Sequence, residues 1–355
     1  MTQPDPWAPA SMPDQPPPGL ARSRVIEVAD AVLTPLARGP VGDPGDGPRK
    51  WMTGAVHDRR GTVVPESQRA WHGDPMSPAA TDPDRVPVPE DAPRLAGTWL
   101  YGGHWMSHFG HFLVEVLPGL WPEPREVGPL AGIVAHRSYR GSGGSVTPQG
   151  ERRSRIGRPI DFQPWQADLL RLAGYGDLPV HLVRARTGRV DRLLVPTRPV
   201  LLKSWALPAA ADLWRRVSDA VGERGDAGRI YLSRSRWHAE ESLHGRHQRG
   251  EAERDRRLDE LFAAAGFEVA HPELLPIAEQ IALVRGADVV AGPSGSALHL
   301  AAFADPGTRV LEIGDARTQG APMPTQRTID AACGHRTAFV PSTALDEIES
   351  VLATL

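Results

Sequence analysis

Cysteine is almost missing from this chain: Cys333 is the only one in 355 residues. One thiol cannot build an internal disulfide framework, so stability must come from packed cores, as is usual in a reducing cytoplasm. We expect Cys333 itself to be a small residue in a half-buried turn. Long apolar runs are missing too, and none approaches the ~20 residues that span a bilayer. The opening MTQPDPWAPASMPDQPPPG has neither a basic nor an apolar stretch, so it does not read as a secretory signal. Nor does charge of one sign dominate. The formal net charge is −3 with the basic residues scattered, which argues against nucleic acid as a bulk partner and leaves room for one arginine cluster to hold a small phosphorylated ligand. These absences describe a cytoplasmic protein without a transmembrane segment, compatible with a peripheral place at a membrane face.

What remains is 40% apolar, enough for two cores in a chain of this length. Residues 1–20 are proline-rich and predict a disordered N-terminus. SRVIEVADAVLTPL (23–36) carries β-branched residues in two short runs and reads as a strand pair. Residues 39–93 are dense in Gly, Pro and Asp and predict loops, with a strand near Gly61–Val64. From Ala96 the texture changes: GTWLYG, AGIVAH, VHLVRA and VDRLLVPT read as strands, HWMSHFGHFLVEVLPGLW and PWQADLLRLAGYG as helices, and 141–159 as a flexible basic loop. The alternation predicts an N-terminal α/β lobe over 21–205 with long loops.

The second half is cleaner. After the helix ADLWRRVSDAVGERG, RIYLSR, FEVAHP, DVVAG and TRVLEIG read as strands. Residues 255–265, PIAEQIALVRGA and GSALHLAAF read as the helices between them. Short strand–helix–strand connections predict a parallel, doubly wound sheet over 206–355. We therefore expect two Rossmann-like α/β lobes with a cleft between them, a natural site for a nucleotide-bearing substrate.

Four stretches carry chemistry. In VVAGPSGSALHL a buried strand ends at Gly292, and a tight Pro-Ser-Gly turn leads to a helix near Ser296. Such a helix start is an anion site, where Gly295 lets a phosphate approach the backbone; the plainer alternative is an ordinary turn with Ser294 as N-cap. Arg234 and Arg236 stand where RIYLSR gives out, at the ligand edge of a parallel sheet, or else in a solvated basic loop. Glu312 lies inside an apolar strand, where an unpaired carboxylate is costly; it suits a ribose diol or an internal partner. Finally His104, His108, His111 and Glu115 recur at steps of four, three and four, one stripe on a helix. The stripe would be roughly 16 Å long, so four ligands cannot converge on one ion, though two or three neighbours could.

RIYLSRSR, followed by GFEVAHPELLPIAEQIALVRGADVVAGPSGSALHLAAFADPGTRVLEI, resembles the glycosyltransferase family 61 domain, as does the upstream HFGHFLVEVLP. The likeness spans about residues 95–315 and is strongest at Y-L-S-R, P-E-x-L-x-x-x-E-Q-I and G-x-x-G-S-A-L-H. It implies a GT-B-type fold and metal-independent, inverting transfer of a sugar from a nucleotide-sugar donor to a glycan acceptor. There is no resident cofactor in that scheme, and the donor, taken as UDP-linked, enters as substrate. The second lobe would bind it through Arg234, Arg236, Ser294, Gly295, Ser296, His299 and Glu312. Glu115 would be the base that takes the acceptor proton, with His111 orienting it or binding acceptor, and His104 and His108 lining the cleft. Two departures bear on donor identity and activity. The Asn-Glu that often follows the arginine pair is replaced by Arg254–Asp255 or Glu251, and Ser294 stands where many members have His. The role implied is surface or capsular polysaccharide synthesis. The alternatives are a catalytically silent nucleotide-sugar or glycan-binding relative, and a metal-dependent hydrolase using the histidine stripe.

Overall fold

Apolar runs flanked by glycine or charge become the strands of two six-stranded sheets, one in each of two units of the chain. The computed structural model describes residues 7–35, 37–39, 51–68, 70–71, 74–78, 86–106, 108–137, 144–146, 152–154, 162–183, 186–237, 252–315, 318, 320–341 and 345–353. One unit is Pro18–Leu201; the other joins Met1–Pro17 to Leu202–Leu355.

In the Pro18–Leu201 unit the strands lie in the order Val180–Val183, Gly132–Arg137, Arg94–Trp105, Gly188–Pro196, Val25–Leu33 and Val56–His57. The first four are parallel and the last two add antiparallel. Their inner faces pack Val28, Leu33, Trp99, Tyr101, Val134, Leu193 and Val195 into one core. The strand pair expected at 23–36 is a single strand. Asp30 interrupts its apolar pattern, at φ 54°, and is held there by ion pairs to Arg94 and Arg189. Near Gly61–Val64 there is only an isolated bridge, His57 to Val63. Of the 141–159 loop, the described parts, Gly144–Val146 and Arg152–Ser154, pair antiparallel.

The expected helix from His104 begins later. His104 and Trp105 close the long Arg94–Trp105 strand, whose register slips between Tyr101 and His104 with Gly103 at φ 77°. Helical structure starts at Phe109, with an α turn Phe109–His111, a π turn Phe112–Val116 and a 3-10 turn Leu117–Leu120. Phe112, Leu113, Val114 and Val116 are all buried. A segment apolar on every side is a core segment, and the short reach from strand end to helix start removes His104 from the stripe.

The other unit holds a sheet in the order Ala8–Pro9, Arg336–Val340, Arg309–Ile313, Val289–Pro293, Arg229–Leu232, Glu268–Ala270. All but the first strand are parallel. The chain starts at Arg229–Leu232, steps outward to Glu268–Ala270, then returns past its start to Val289–Pro293. That reversal puts the topological switch point between Arg229–Leu232 and Val289–Pro293, where doubly wound sheets bind ligands at their carboxyl ends. The helices Pro208–Val221, Ala252–Ala264 and Ile277–Arg285 fall where the apolar spacing predicts them. Tyr231 stacks flat on Phe262 at 4.1 Å.

Two segments differ from expectation. From residue 7 the proline-rich N-terminus is ordered, against expectation: Trp7 is buried in the core with Tyr231, Phe262 and Leu311, and Ala8–Pro9 forms the sheet edge. One tryptophan suffices to anchor such a tail, because it buries so much surface. Beyond Gly314 the chain continues with the helix Pro324–Cys333, the strand Arg336–Val340 and the helix Leu345–Leu352. Cys333 is therefore the last residue of a helix, half-buried, with its thiol pKa raised by burial. No helix among the described residues is long and apolar enough to cross a membrane.

Candidate active site

The first half of the sequence motif forms a pocket in the Pro18–Leu201 unit. It is lined by Glu66, Tyr101, Gly102, Gly103, His104, Glu115, Val116, Gly119, Pro196 and Arg198, and is a shallow recess with room of about 20 Å³ for the centres of water-sized groups. Glu115 is the polar residue of the otherwise buried π turn, its side chain 8% exposed. His111, one turn earlier and more exposed, has Nδ1 2.5 Å from Glu115 Oε2, so its N–H donates to the carboxylate. His108 caps the turn by accepting the His111 N–H, and its ring meets that of His111 edge to face. Hence His111 and Glu115 are brought together, His108 stands beside them, and His104 does not join them.

His104 belongs to a buried cluster in the pocket wall. Its Nε2 donates to the Gly54 carbonyl at 2.7 Å, which leaves Nδ1 to accept from the Arg198 guanidinium at 2.9 Å. His136 stacks on it at 4.8 Å, with Nε2 donating to the Thr34 carbonyl at 2.8 Å and Nδ1 2.7 Å from the Tyr101 hydroxyl. The His104 ring is thereby fixed as one tautomer, since a guanidinium can only donate, while the Tyr101 hydroxyl beside His136 also reaches the Ser67 carbonyl at 3.3 Å. Glu66 accepts from Arg24 at 2.9 Å. Sequence reasoning missed Glu66, Tyr101, His136 and Arg198. Arg198 had a signal, as the first cation after VDRLLVPT, at the carboxyl end of a parallel strand.

In the other unit the switch point is flanked by the ends of Arg229–Leu232 and Val289–Pro293. Arg234 is half-buried and Arg236 exposed, the latter in a helical start at 235–237. Arg254 donates to the Gly314 carbonyl at 3.4 Å, and its Nε is buried without a hydrogen-bond partner among the described residues. Burial lifts the Tyr231 phenol well above its usual pKa, Asp259 and Asp255 add to that, and Arg254 and Arg234 oppose it. Asp259 accepts from the Ser235 hydroxyl at 2.6 Å. Glu251 and residues 238–250 lie outside the described residues.

The turn after Val289–Pro293 departs from the expected phosphate site. Leu298–Phe303 is a six-residue 3-10 helix, with far less dipole than the α-helix expected from GSALHLAAF. Ser294 is fully buried and donates its hydroxyl to Glu312 at 2.5 Å. Glu312, 3% exposed, also accepts the Met323 N–H at 3.0 Å. Burial pushes its pKa up to about 7, against the lowering effect of these two donors. Contact of the Ser294 and Glu312 side chains with a donor does not fit this burial; they join the turn to the sheet. Gly295, at φ 142°, does supply backbone that only glycine adopts readily, and Ser296 beside it is partly exposed. His299 is buried, with Nδ1 2.9 Å from Gln326 Oε1, and Gln326 leads on to Asp330 and His335. Among the described residues no three His, Cys, Asp or Glu side chains gather as a metal-ligand set.

The family model for Glycosyltransferase 61 matches residues 109–311, more than half of the chain, and the chain belongs to that family. It is a glycosyltransferase, and the family implies a nucleotide-sugar donor and a glycan acceptor. The matched segment contains His111, Glu115, Arg234, Ser294 and His299; His104, His108 and Glu312 fall outside it. No curated protein matches the chain.

Proposed function

We propose that this glycosyltransferase inverts the anomeric centre, working as a GT-B-type enzyme with the acceptor on the Pro18–Leu201 unit and the nucleotide-sugar donor, UDP-linked, on the other. Glu115 takes the acceptor proton as the hydroxyl attacks, and His111 holds the carboxylate through its Nδ1–H. The leaving diphosphate is met by Arg234 and Arg254, with Arg236, the Gly295 backbone and Ser296 at the mouth of the turn, and His299 fixing that turn from within. The observation that carries the reading is the His111–Glu115 contact at a pocket wall inside the family-matched segment. A carboxylate with one imidazole partner and access to a pocket has the makings of a general base. We place the reaction in surface or capsular polysaccharide synthesis in the cytoplasm, without a metal. The test is a donor screen: UDP-, GDP- and CMP-sugars incubated with the protein, with and without EDTA. Turnover of one donor, indifferent to the chelator, supports the reading. No turnover of any donor, or turnover abolished by EDTA, counts against it.

A further inference from the structure

From Val289 to Phe303 only Ser296 and Ala297 are partly exposed, and every other residue is buried. A ligand of this turn must therefore meet those two. Their backbone is not stiff on its own account. Gly295 before them stands at φ 142°, and Leu298–Phe303 after them is a short 3-10 helix. Two buried side chains bracket the pair. Ser294 donates to Glu312, whose carboxylate also accepts the Met323 N–H. On the other side the His299 N–H donates to the Gly295 carbonyl at 3.3 Å, and the His299 ring meets Gln326 at 2.9 Å. Both clamps end on one element: Met323 directly precedes the helix Pro324–Cys333, and Gln326 lies in its first turn. At the far end of that helix the Cys333 thiol reaches the Ala302 carbonyl at 3.6 Å.

The polarity of the second clamp is set from behind. Gln326 Nε2 donates to Asp330 Oδ1 at 2.9 Å, so the amide oxygen faces His299, and an amide oxygen only accepts. His299 Nδ1 therefore carries a proton. The same Asp330 oxygen meets His335 Nδ1 at 2.9 Å. His335 Nε2 is buried with no hydrogen-bond partner among the described residues, a place better filled by a lone pair than by an N–H, so Nδ1 is the donor. Burial raises the Asp330 pKa, and His335 and Gln326 pull it back down. We propose that the helix Pro324–Cys333, which lies outside the family-matched residues 109–311, positions the donor turn, with Gln326 as the positioning residue and Asp330 orienting its amide. This rests on the reading that the turn receives the donor diphosphate, and adds which residues keep it in place.

The test titrates the full chain with UDP, GDP and CMP by calorimetry and reads the histidine ring nitrogens by NMR. In the parent, the His299 signal, assigned by its loss in His299→Leu, should show a protonated Nδ1. Gln326→Met keeps the side chain's length and removes its amide. It should weaken the nucleotide the parent binds by about tenfold, the worth of one buried hydrogen bond. His299→Leu should cost about as much, and the double variant no more than the larger single loss, because the two residues act as one unit. Thr328→Val is the control: Thr328 is buried in the same helix, and its hydroxyl donates within it to the Pro324 carbonyl. It should lower the urea midpoint and leave nucleotide affinity alone. Parent-level affinity in Gln326→Met, additive losses in the double variant, or an equal loss in Thr328→Val would each overturn the positioning role. Should Gln326→Met not fold, the parent spectrum decides, since an unprotonated His299 Nδ1 refutes the clamp. A parent that binds none of the three nucleotides sinks the donor reading and this role with it, whereas equal binding by parent and Gln326→Met sinks the role alone.

Discussion

Replacing Glu115 by glutamine removes one proton-accepting atom and almost nothing else. The side chain is 8% exposed inside a π turn whose other members are buried, and glutamine keeps its volume. Its amide oxygen can still accept the His111 Nδ1–H that now reaches Glu115 Oε2, so the loss of stability is that of one charge-assisted bond made neutral, ~1 kcal/mol. The loss of function is larger. A positioned general base contributes ~10² to 10⁴-fold, equal to ~2.7 to 5.4 kcal/mol of barrier. Single-turnover transfer from a labelled nucleotide-sugar should fall by that factor in Glu115→Gln, while calorimetric nucleotide affinity stays at the parent value. His111→Ala should give an intermediate loss, because the carboxylate survives but is no longer held. His104→Ala should mainly destabilise the protein, since its ring ties Arg198 to the Gly54 carbonyl. Transfer by Glu115→Gln at near the parent rate would refute the assignment, leaving the His–Glu pair a structural element and the base elsewhere.

Arg234→Ala should weaken nucleotide binding by ~1.5 to 3 kcal/mol, the worth of a charge-assisted phosphate contact; unchanged affinity in a calorimetric titration would remove it from the donor site. Glu312 gives a pH signature. Burial raises its folded pKa from 4.5 to about 7, so its neutral form favours the fold: that stability is fully present below pH ~4.5 and is lost as pH rises through 7, ~3 kcal/mol in all. Glu312→Gln should flatten this part of the stability curve between pH 5 and 8, measured by urea unfolding, and identical curves for the two proteins would contradict the account. Trp7→Ala should cost ~3 kcal/mol by emptying a buried aromatic site; an unchanged urea midpoint would show the N-terminal edge strand to be dispensable.

The α/β alternation was legible because its elements differ in period. VVAG and VLEI are runs with little or no polar interruption, as strands covered on both faces must be, and they became Val289–Pro293 and Arg309–Ile313. The helix Pro208–Val221 buries Ala210, Leu213, Trp214, Val217 and Ser218, the spacing that a helical face demands. What periodicity could not show was where a partner overrides it. VADAV looked like a break between two strands, but Asp30 is held in the sheet by Arg94 and Arg189, 64 and 159 residues away. Glu312 suggested a ligand because a lone carboxylate in an apolar strand needs one, whereas Ser294 and the Met323 N–H already supply the donors. The tail failed for a similar reason: proline content argues for disorder, and a single Trp7 overrides it once a cavity between Tyr231 and Leu311 exists to receive the indole.

The histidine-rich stretch shows the same limit at the site itself. Steps of four, three and four assume one continuous helix, and only the last step survives, His111 to Glu115. A sequence cannot announce the slip between Tyr101 and His104, because a bulge is decided by the neighbouring strand Gly132–Arg137, nor the widening of the next turn. Both irregularities bear on the proposed site. The bulge turns His104 toward Gly54 and Arg198, away from the His111–Glu115 pair and into the pocket wall. The π turn buries four apolar neighbours and leaves Glu115 as the single polar group at that level, with His111 within reach. π turns inside helices are energetically poor and recur at functional sites. The irregular backbone here therefore separates one apparent stripe into a histidine bonded in the pocket wall and the His111–Glu115 pair proposed as the base and its holder. It follows that variants restoring regular α-helical register across 109–117 should damage transfer more than stability, even where no polar residue is changed. Transfer rates and urea midpoints measured on the same variants would decide it, and a loss of stability with transfer intact would refute the role given to the π turn.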